Sequence, residues 1–322
     1  MAVTFAGSPD RVEARLVPEA GFELDTFRIS GLPRRPSLEL LRSVLLAGMA
    51  PRACRRILRT RRPDVVLGGG GYAAGPMVFA ASTMGIPAAL TEADAHLGLA
   101  NRLAAPFAKR LFLAYPIETR FSSKARVVGR PIPARSRPVP QADAREMFEL
   151  PPDGRILGVF GALAGAQALN EFVVETWGAS GPPILHITGR RDYDLVRAAA
   201  LRDDYRVVPE TERFGAALSA VDLVLGRSGS TVWEIAAAGR PAIFVPYPFA
   251  TGDHQAANAE HFVHAGGAII IRELDLDQVP ELVRSLLDDD LRLERMSKAM
   301  LAAAKPEAAS EIADELVALA RR

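Results

Sequence analysis

The residues able to do chemistry concentrate between Arg227 and Asn258. The segment reads Arg-Ser-Gly-Ser-Thr-Val-Trp-Glu-Ile from 227 to 235, runs through an apolar stretch at Ala242–Val245, and closes on Asp253-His254-Gln255-Ala256-Ala257-Asn258. Small residues that open a helix leave its first backbone N–H groups without internal partners. The partial positive charge there attracts phosphate oxygens. Gly229 lets a ligand approach the backbone, and Ser230 and Thr231 add hydroxyl donors. Glu234 follows about one turn later, where a carboxylate can accept from a ribose diol as the acidic residue of dinucleotide folds does. The pattern suits a nucleoside diphosphate. Ser-Gly-Ser-Thr is also compatible with an ordinary helix N-cap, and Glu234 with a first-turn carboxylate. The Asp-x-Gln-x-x-Asn loop close behind favours the ligand site.

Three further loops carry the same texture. They are Gly68–Pro76 with Tyr72 at its centre, Thr91-Glu92-Ala93-Asp94, and Gly161–Ala166 with Gly161 and Gly165. The glycine loops could equally serve a tight turn or close helix–strand packing, and neither has the spaced dinucleotide fingerprint or the P-loop lysine. Asp275-Leu276-Asp277 reads as the start of a helix, and no Cys/His cluster has zinc-like spacing, so neither a metal nor a cofactor is expected.

These loops need a scaffold, and the chain supplies a repeated strand–loop–helix pattern. Strands are expected at 3–6, 24–29, 65–68, 88–91, 110–114, 125–128, 156–160, 184–188, 205–208, 223–225, 242–245 and 268–271. Most are short apolar runs without alternation, the signature of parallel strands buried on both faces. Helical segments between them give an α/β class. Ligands of such sheets bind beyond the carboxyl ends of the strands, which is where the loops above fall. The Pro-rich stretch from Gly129 to Pro140 reads as a linker, dividing the chain into domains at 1–132 and 133–322, the second ending in an amphipathic helix near Ile312, Leu316 and Leu319. With 322 residues and 49% apolar content the chain can build two cores. A net charge of +1 argues against a general nucleic-acid binder, and a single cysteine, Cys54, rules out an internal disulfide.

Taken together, Gly-Gly-Gly-Gly-Tyr-x-x-Gly-Pro (68–76), Val-Val-Gly-Arg-Pro (127–131), the 227–239 segment and Asp-His-Gln-Ala-Ala-Asn-Ala (253–259) resemble the bacterial N-acetylglucosaminyltransferases of peptidoglycan synthesis. The resemblance runs over nearly the whole chain. It implies the GT-B architecture, two Rossmann-like doubly wound domains facing across a cleft. It also implies an inverting transfer of N-acetylglucosamine from UDP-N-acetylglucosamine to the lipid-linked acceptor undecaprenyl-pyrophosphoryl-N-acetylmuramyl-pentapeptide, converting lipid I to lipid II. By that resemblance Gly229, Ser230 and Thr231 meet the donor diphosphate, Glu234 the ribose and Gln255 the donor sugar. Asn258 closes that motif, and Tyr72 belongs to an acceptor-side loop. Asp94 stands where the family has an asparagine, and Leu163-Ala164 where serine and glutamine are common.

The family opens with a strand and a Gly-rich loop ending in histidine, whereas this chain opens on what reads as the second strand. A start further upstream, a fragment, or a chain without activity would each account for that. No histidine here inherits the family's position, which leaves Glu92 and Asp94 as weak candidates for the general base. Two other readings stand beside the transferase: another UDP-sugar GT-B enzyme, such as a lipid glucosyltransferase or an epimerase, and a non-catalytic UDP-sugar-binding scaffold of the cell-wall machinery. Cell-wall and division proteins are the partners such a chain would meet. A lipid acceptor also implies peripheral attachment to the cytoplasmic face of the membrane. Leu40, Leu41, Val44, Leu45, Leu46 and Met49, bordered by arginines from Arg34 to Arg62, suit an anionic surface, although inward leucines with a solvated arginine face would read the same. Reversing the charge at Arg55, Arg56 and Arg59 to glutamate is expected to weaken sedimentation with anionic vesicles; equal binding removes the idea.

Overall fold

A computed structural model describes residues 2–29, 38–161 and 167–321. It divides into two compact units, one formed by 1–128 with 309–322 and one by 129–308.

In the first unit, β1 (Phe5–Gly7) and β2 (Leu24–Thr26) form a parallel two-stranded ladder flanking α1 (Glu13–Glu19). After α2 (Leu38–Arg61), a parallel sheet runs in the order β3 (Val66–Gly68), β4 (Ala88–Glu92), β5 (Arg110–Leu113), β6 (Ala125–Val127). Between its strands lie α3 (Gly71–Thr83) and α4 (Leu99–Ala104). Leu90, Leu111 and Leu113 are buried with Val78, Ala81, Cys54 and Leu58 from the covering helices. Burial raises the Cys54 thiol to about 12, so it packs as a small apolar group.

The second unit contains α5 (Gln141–Met147), β7 (Leu157–Phe160), α6 (Gln167–Trp177), β8 (Ile184–Ile187), α7 (Tyr193–Ala199) and β9 (Tyr205–Val208). It continues through α8 (Phe214–Ala220), β10 (Leu223–Gly226), α9 (Val232–Ala237), β11 (Ala242–Phe244), α10 (His254–His264), β12 (Ala268–Ile270), α11 (Val279–Leu287) and α12 (Asp290–Ala303). Its six strands are all parallel, in the order β12-β11-β10-β7-β8-β9. The two central strands, β7 and β10, are buried at every position, as their unbroken apolar sequences require.

The last helix, α13 (Ala308–Ala320), corrects one sequence expectation. Its apolar face does not join the second domain's core. Ile312, Leu316 and Leu319 pack with Ala89, Phe112 and Val128 of the first sheet, and Glu315 pairs with Arg110 and Arg126. Amphipathicity fixes that a face must be covered but not by what.

Two buried polar networks hold the second sheet. At the amino ends of β7 and β10, Asp222 accepts from Arg145 (2.9 Å), Arg155 (3.1 Å) and the Ile156 N–H (2.8 Å). Arg145 also donates to the carbonyls of Ala220, Pro152 and Gly154, so this buried ion pair has its remaining donors satisfied. On β8, the fully buried His186 lies between the Tyr205 hydroxyl (2.9 Å at Nδ1) and Asn170 Oδ1 (3.0 Å at Nε2). The Asn170 amide donates to the Thr188 carbonyl and to Asp192, so its oxygen must receive the His186 Nε2–H. Burial pushes the His186 imidazole from its ordinary 6.5 down to about 3, opposed by the Asp192 charge. The unfolded chain therefore takes up a proton that the folded chain refuses. Stability from this site is present above about pH 6.5 and is lost as pH falls toward 3. Urea unfolding over that range should show a decline with falling pH that His186→Gln flattens by about one proton; parallel profiles for both chains would contradict it.

Candidate functional site

The second sheet reverses its direction of growth between β7 and β10. From β7 the chain builds outward through β8 and β9, then returns to add β10, β11 and β12 on the other side. The carboxyl ends of β7 and β10 therefore flank the crevice where doubly wound sheets hold ligands. The two ends approach closely because β10 finishes in glycine: a Cβ on Gly226 would lie 2.6 Å from the Phe160 carbonyl oxygen. Gly161 continues from β7 into this crevice. Gly165, with the rest of 162–166, lies outside the described residues.

After β10 the chain runs through Arg227–Thr231 into α9. Ser228 is fully buried, and its hydroxyl has no hydrogen-bond partner among the described residues. Gly229 and Thr231 are partly exposed and Ser230 is exposed. Thr231 occupies the N-cap position without a side-chain capping bond, so the hydroxyls are not spent as the ordinary cap that the sequence alone allows. Glu234 is the third residue of α9, partly exposed, and accepts from Ser136 Oγ at 2.5 Å.

Gln255 is the second residue of α10 and comes to the same loop. Its Oε1 accepts from the Tyr247 N–H at 2.9 Å, and because a backbone N–H can only donate, this fixes the side-chain amide with its NH2 on the other side. That nitrogen is the nearest group to Gly229, 4.0 Å from where a Cβ would stand. Asn258, one turn further along α10, is buried. Gly229 and Gln255 thus lie side by side although they are 26 positions apart in the chain.

Arg227 opens the motif in the sequence, but nothing there shows the partners through which it holds this loop. Arg227 is buried, only 2% exposed. Its guanidinium donates to the carbonyls of Val245 (3.1 Å) and Pro246 (3.3 Å), forms an ion pair with Glu273, and lies over the Tyr247 ring at 5.6 Å. It ties the end of β10 to the segments following β11 and β12. Trp233, also buried, packs against His261 and Phe262 and anchors α9 from below.

In the first unit, the loops after β3 and β4 lie side by side. Gly70 and Gly71 take φ of 87° and 68°, turning β3 sharply into α3. A Cβ on Gly70 would stand 3.7 Å from the Thr91 carbonyl oxygen and 3.8 Å from Asn101 Nδ2. Tyr72, on the first turn of α3, lies 5.7 Å from the Arg11 guanidinium. Glu92 ends β4 as a buried carboxylate that receives the N–H groups of Ala93 (3.0 Å), Asp94 (3.3 Å) and Gly98 (2.9 Å) and the Asn101 amide (2.9 Å). Its oxygens are occupied in shaping the 93–98 loop. Asp94 is held on that loop and is partly exposed. Along α2, Ala50, Cys54 and Leu58 face inward while Arg52, Arg56 and Arg59 are exposed. Arg55 donates to Thr83 Oγ1. The expected leucine stripe from Leu40 to Leu46 has its side chains outside the described residues; Met49 is exposed.

Two Rossmann-like parallel-sheet units, one with a switch-point crevice walled by small residues, define the GT-B fold class. Residues 156–314 match the glycosyltransferase family 28 C-terminal domain and residues 1–113 the family 28 N-terminal domain. The chain is 41% identical to the UDP-N-acetylglucosamine–N-acetylmuramyl-(pentapeptide) pyrophosphoryl-undecaprenol N-acetylglucosamine transferase of Acidithiobacillus ferrooxidans, over 97% of this chain and 88% of that protein. Against the transferase of the same name from Halothermothrix orenii it is 35% identical, over 94% and 87%. The chain belongs to this family of N-acetylglucosamine transferases. The crystal structure of Acinetobacter baumannii MurG superposes with a TM-score of 0.79 at 26% identity, covering 98% of this chain and 90% of that one. A UDP-N-acetylglucosamine 2-epimerase from Neisseria meningitidis, at 13% identity and a TM-score of 0.59 over 98% of both chains, shares the fold.

Lysine cannot reproduce the Arg227 fork. Arg227→Lys is expected to lower unfolding free energy in urea by about 1–3 kcal/mol and to weaken UDP binding measured by calorimetry; unchanged values for both would show that the strut is dispensable.

Proposed function

We propose that the chain transfers N-acetylglucosamine from UDP-N-acetylglucosamine to the 4-hydroxyl of the N-acetylmuramyl unit of undecaprenyl-pyrophosphoryl-N-acetylmuramyl-pentapeptide, with inversion at the anomeric carbon. The observation that carries the reading is the Gln255 amide, turned by the Tyr247 N–H toward Gly229 on the loop that leads to the Glu234 carboxylate. Gly229, Ser230 and Thr231 meet the diphosphate with backbone and hydroxyl donors. Glu234 takes the ribose, and Gln255 the donor sugar. Gly161 lies on the other wall of the crevice.

The acceptor oxygen forms a bond to the anomeric carbon as the bond from that carbon to UDP breaks. Negative charge then grows on the departing diphosphate. Donors already in place at the strand end stabilise it without reorganising. The hydroxyl proton needs a base within hydrogen-bond reach. Glu92 and Asp94, the two carboxylates at the end of β4, are the candidates for that role, and Asp94 is the more exposed of the two. Tyr72 and the turn at Gly70–Gly71 serve the acceptor side.

Among the described residues no helix is long and apolar enough to cross a membrane. The lipid acceptor is met at the surface instead, with the exposed arginines of α2 supporting peripheral attachment to an anionic leaflet.

Glu234→Ala should weaken UDP-N-acetylglucosamine binding by about 1–3 kcal/mol, the scale of a charge-assisted hydrogen bond. Calorimetry with equal affinities for both chains would end the ribose assignment.

A further inference from the structure

We propose that Ser136 is a positioning residue for donor recognition, aiming the Glu234 carboxylate at the ribose diol. The inference rests on the reading of Glu234 as the ribose carboxylate and extends it to a residue of the linker.

Ser136 ends a single 3-10 turn, Ala134–Ser136, and is fully buried. Its hydroxyl donates to Glu234 Oε1 at 2.5 Å, the short distance of a bond to an ionised carboxylate. The turn that carries it is fastened at three points. Its own N–H donates to the Pro133 carbonyl at 2.9 Å. Ser219 Oγ on α8 accepts from the Val139 N–H at 3.0 Å while donating to the Gly215 carbonyl at 2.9 Å. Gly215 lets α8 lie directly under the linker: a Cβ there would stand 2.0 Å from the Arg137 carbonyl oxygen and 2.6 Å from the Ser136 carbonyl carbon. The donor cannot drift, so it fixes the carboxylate.

A glutamate on a helix surface otherwise samples several rotamers, and ordering it on binding carries an entropic cost. Ser136 removes that cost before the ligand arrives. The carboxylate has about four lone-pair sites, and Ser136 fills one on Oε1. Oε2 and the rest of Oε1 remain for the two hydroxyls of a ribose. Pinning one oxygen thereby turns a mobile charge into a bidentate acceptor of set direction, which favours ribose over deoxyribose.

The test is calorimetry of UDP and 2′-deoxy-UDP on the full chain. Ser136→Ala should weaken UDP binding by about fivefold, the effect of one hydrogen bond. It should also shrink the preference for UDP over 2′-deoxy-UDP toward that of Glu234→Ala, with the thermal unfolding midpoint unchanged. Ser136→Thr, which keeps the hydroxyl, should recover the preference. If Ser136→Ala lowers both affinities equally, leaves both unchanged, or tightens UDP binding, the proposal is overturned. Should Glu234→Ala still lose UDP affinity in those cases, the ribose assignment survives and only the role of Ser136 falls. If Glu234→Ala is also without effect, both fall together.

Discussion

A guanidinium buried at the end of a parallel sheet has to find acceptors, and Arg227 finds them on its neighbours. Strand ends in such a sheet are bare: their last carbonyls point out of the ladder, and the loops beyond them would otherwise be held only by their own turns. By taking the carbonyls of Val245 and Pro246 and the carboxylate of Glu273, Arg227 ties three consecutive crossovers into one rim. The 227–231 loop, the Tyr247 segment that orients Gln255, and the start of the 273–278 turn are joined through that one charge. Tyr247 takes part twice, with its ring beneath the guanidinium and its N–H on the Gln255 amide.

The two ends of the second sheet divide their labour. At the amino end, Asp222 collects donors from Arg145, Arg155 and the Ile156 backbone, and α5 is bolted to the strands. There the Arg145 donors are matched to acceptors of the chain itself. At the carboxyl end the matching is incomplete: the Ser228 hydroxyl is buried without a hydrogen-bond partner among the described residues. A buried polar group left open is costly, and folds tolerate it where a ligand completes the set. In doubly wound sheets ligands bind at the carboxyl ends of the strands, the end where the Ser228 hydroxyl lies.

Much of this was legible in the sequence because short apolar runs have few alternatives. All twelve expected strands are present, most within a residue or two of their expected bounds; the run from Leu24 to Ile29 is the exception, pairing only over Leu24–Thr26. The loop motifs stand out in the sequence because glycine and hydroxyl residues at a strand end have local meaning. What could not be read is whatever depends on contacts between distant positions. Arg145 and Asp222 are 77 residues apart and neither belongs to a motif. The cover of α13 by the first sheet and the strut at Arg227 are the same kind of fact. Glu92 shows the converse. Its residue type and place at a strand end marked it as a chemical group, and only the three backbone N–H groups and the amide around it reveal a structural task.

The contrast between Glu92 and Glu234 carries a general criterion for carboxylates in such folds. Both are at or near strand ends, and both would be singled out by composition. Glu92 is buried and accepts from four donors of its own chain, which is about the full capacity of an ionised carboxyl group. Glu234 is partly exposed and accepts from one, the Ser136 hydroxyl. A ligand with vicinal hydroxyls can bind only where acceptor capacity is left over, and where the carboxylate is held still enough for that capacity to have a direction. One internal bond satisfies both conditions. With none, the side chain is mobile and recognition pays the entropy of ordering it; with four, no lone pair remains. The number of internal donors on an acidic side chain, rather than its burial or position alone, separates a carboxylate spent on building a loop, as Glu92 is, from one with acceptor capacity to spare, as Glu234 is.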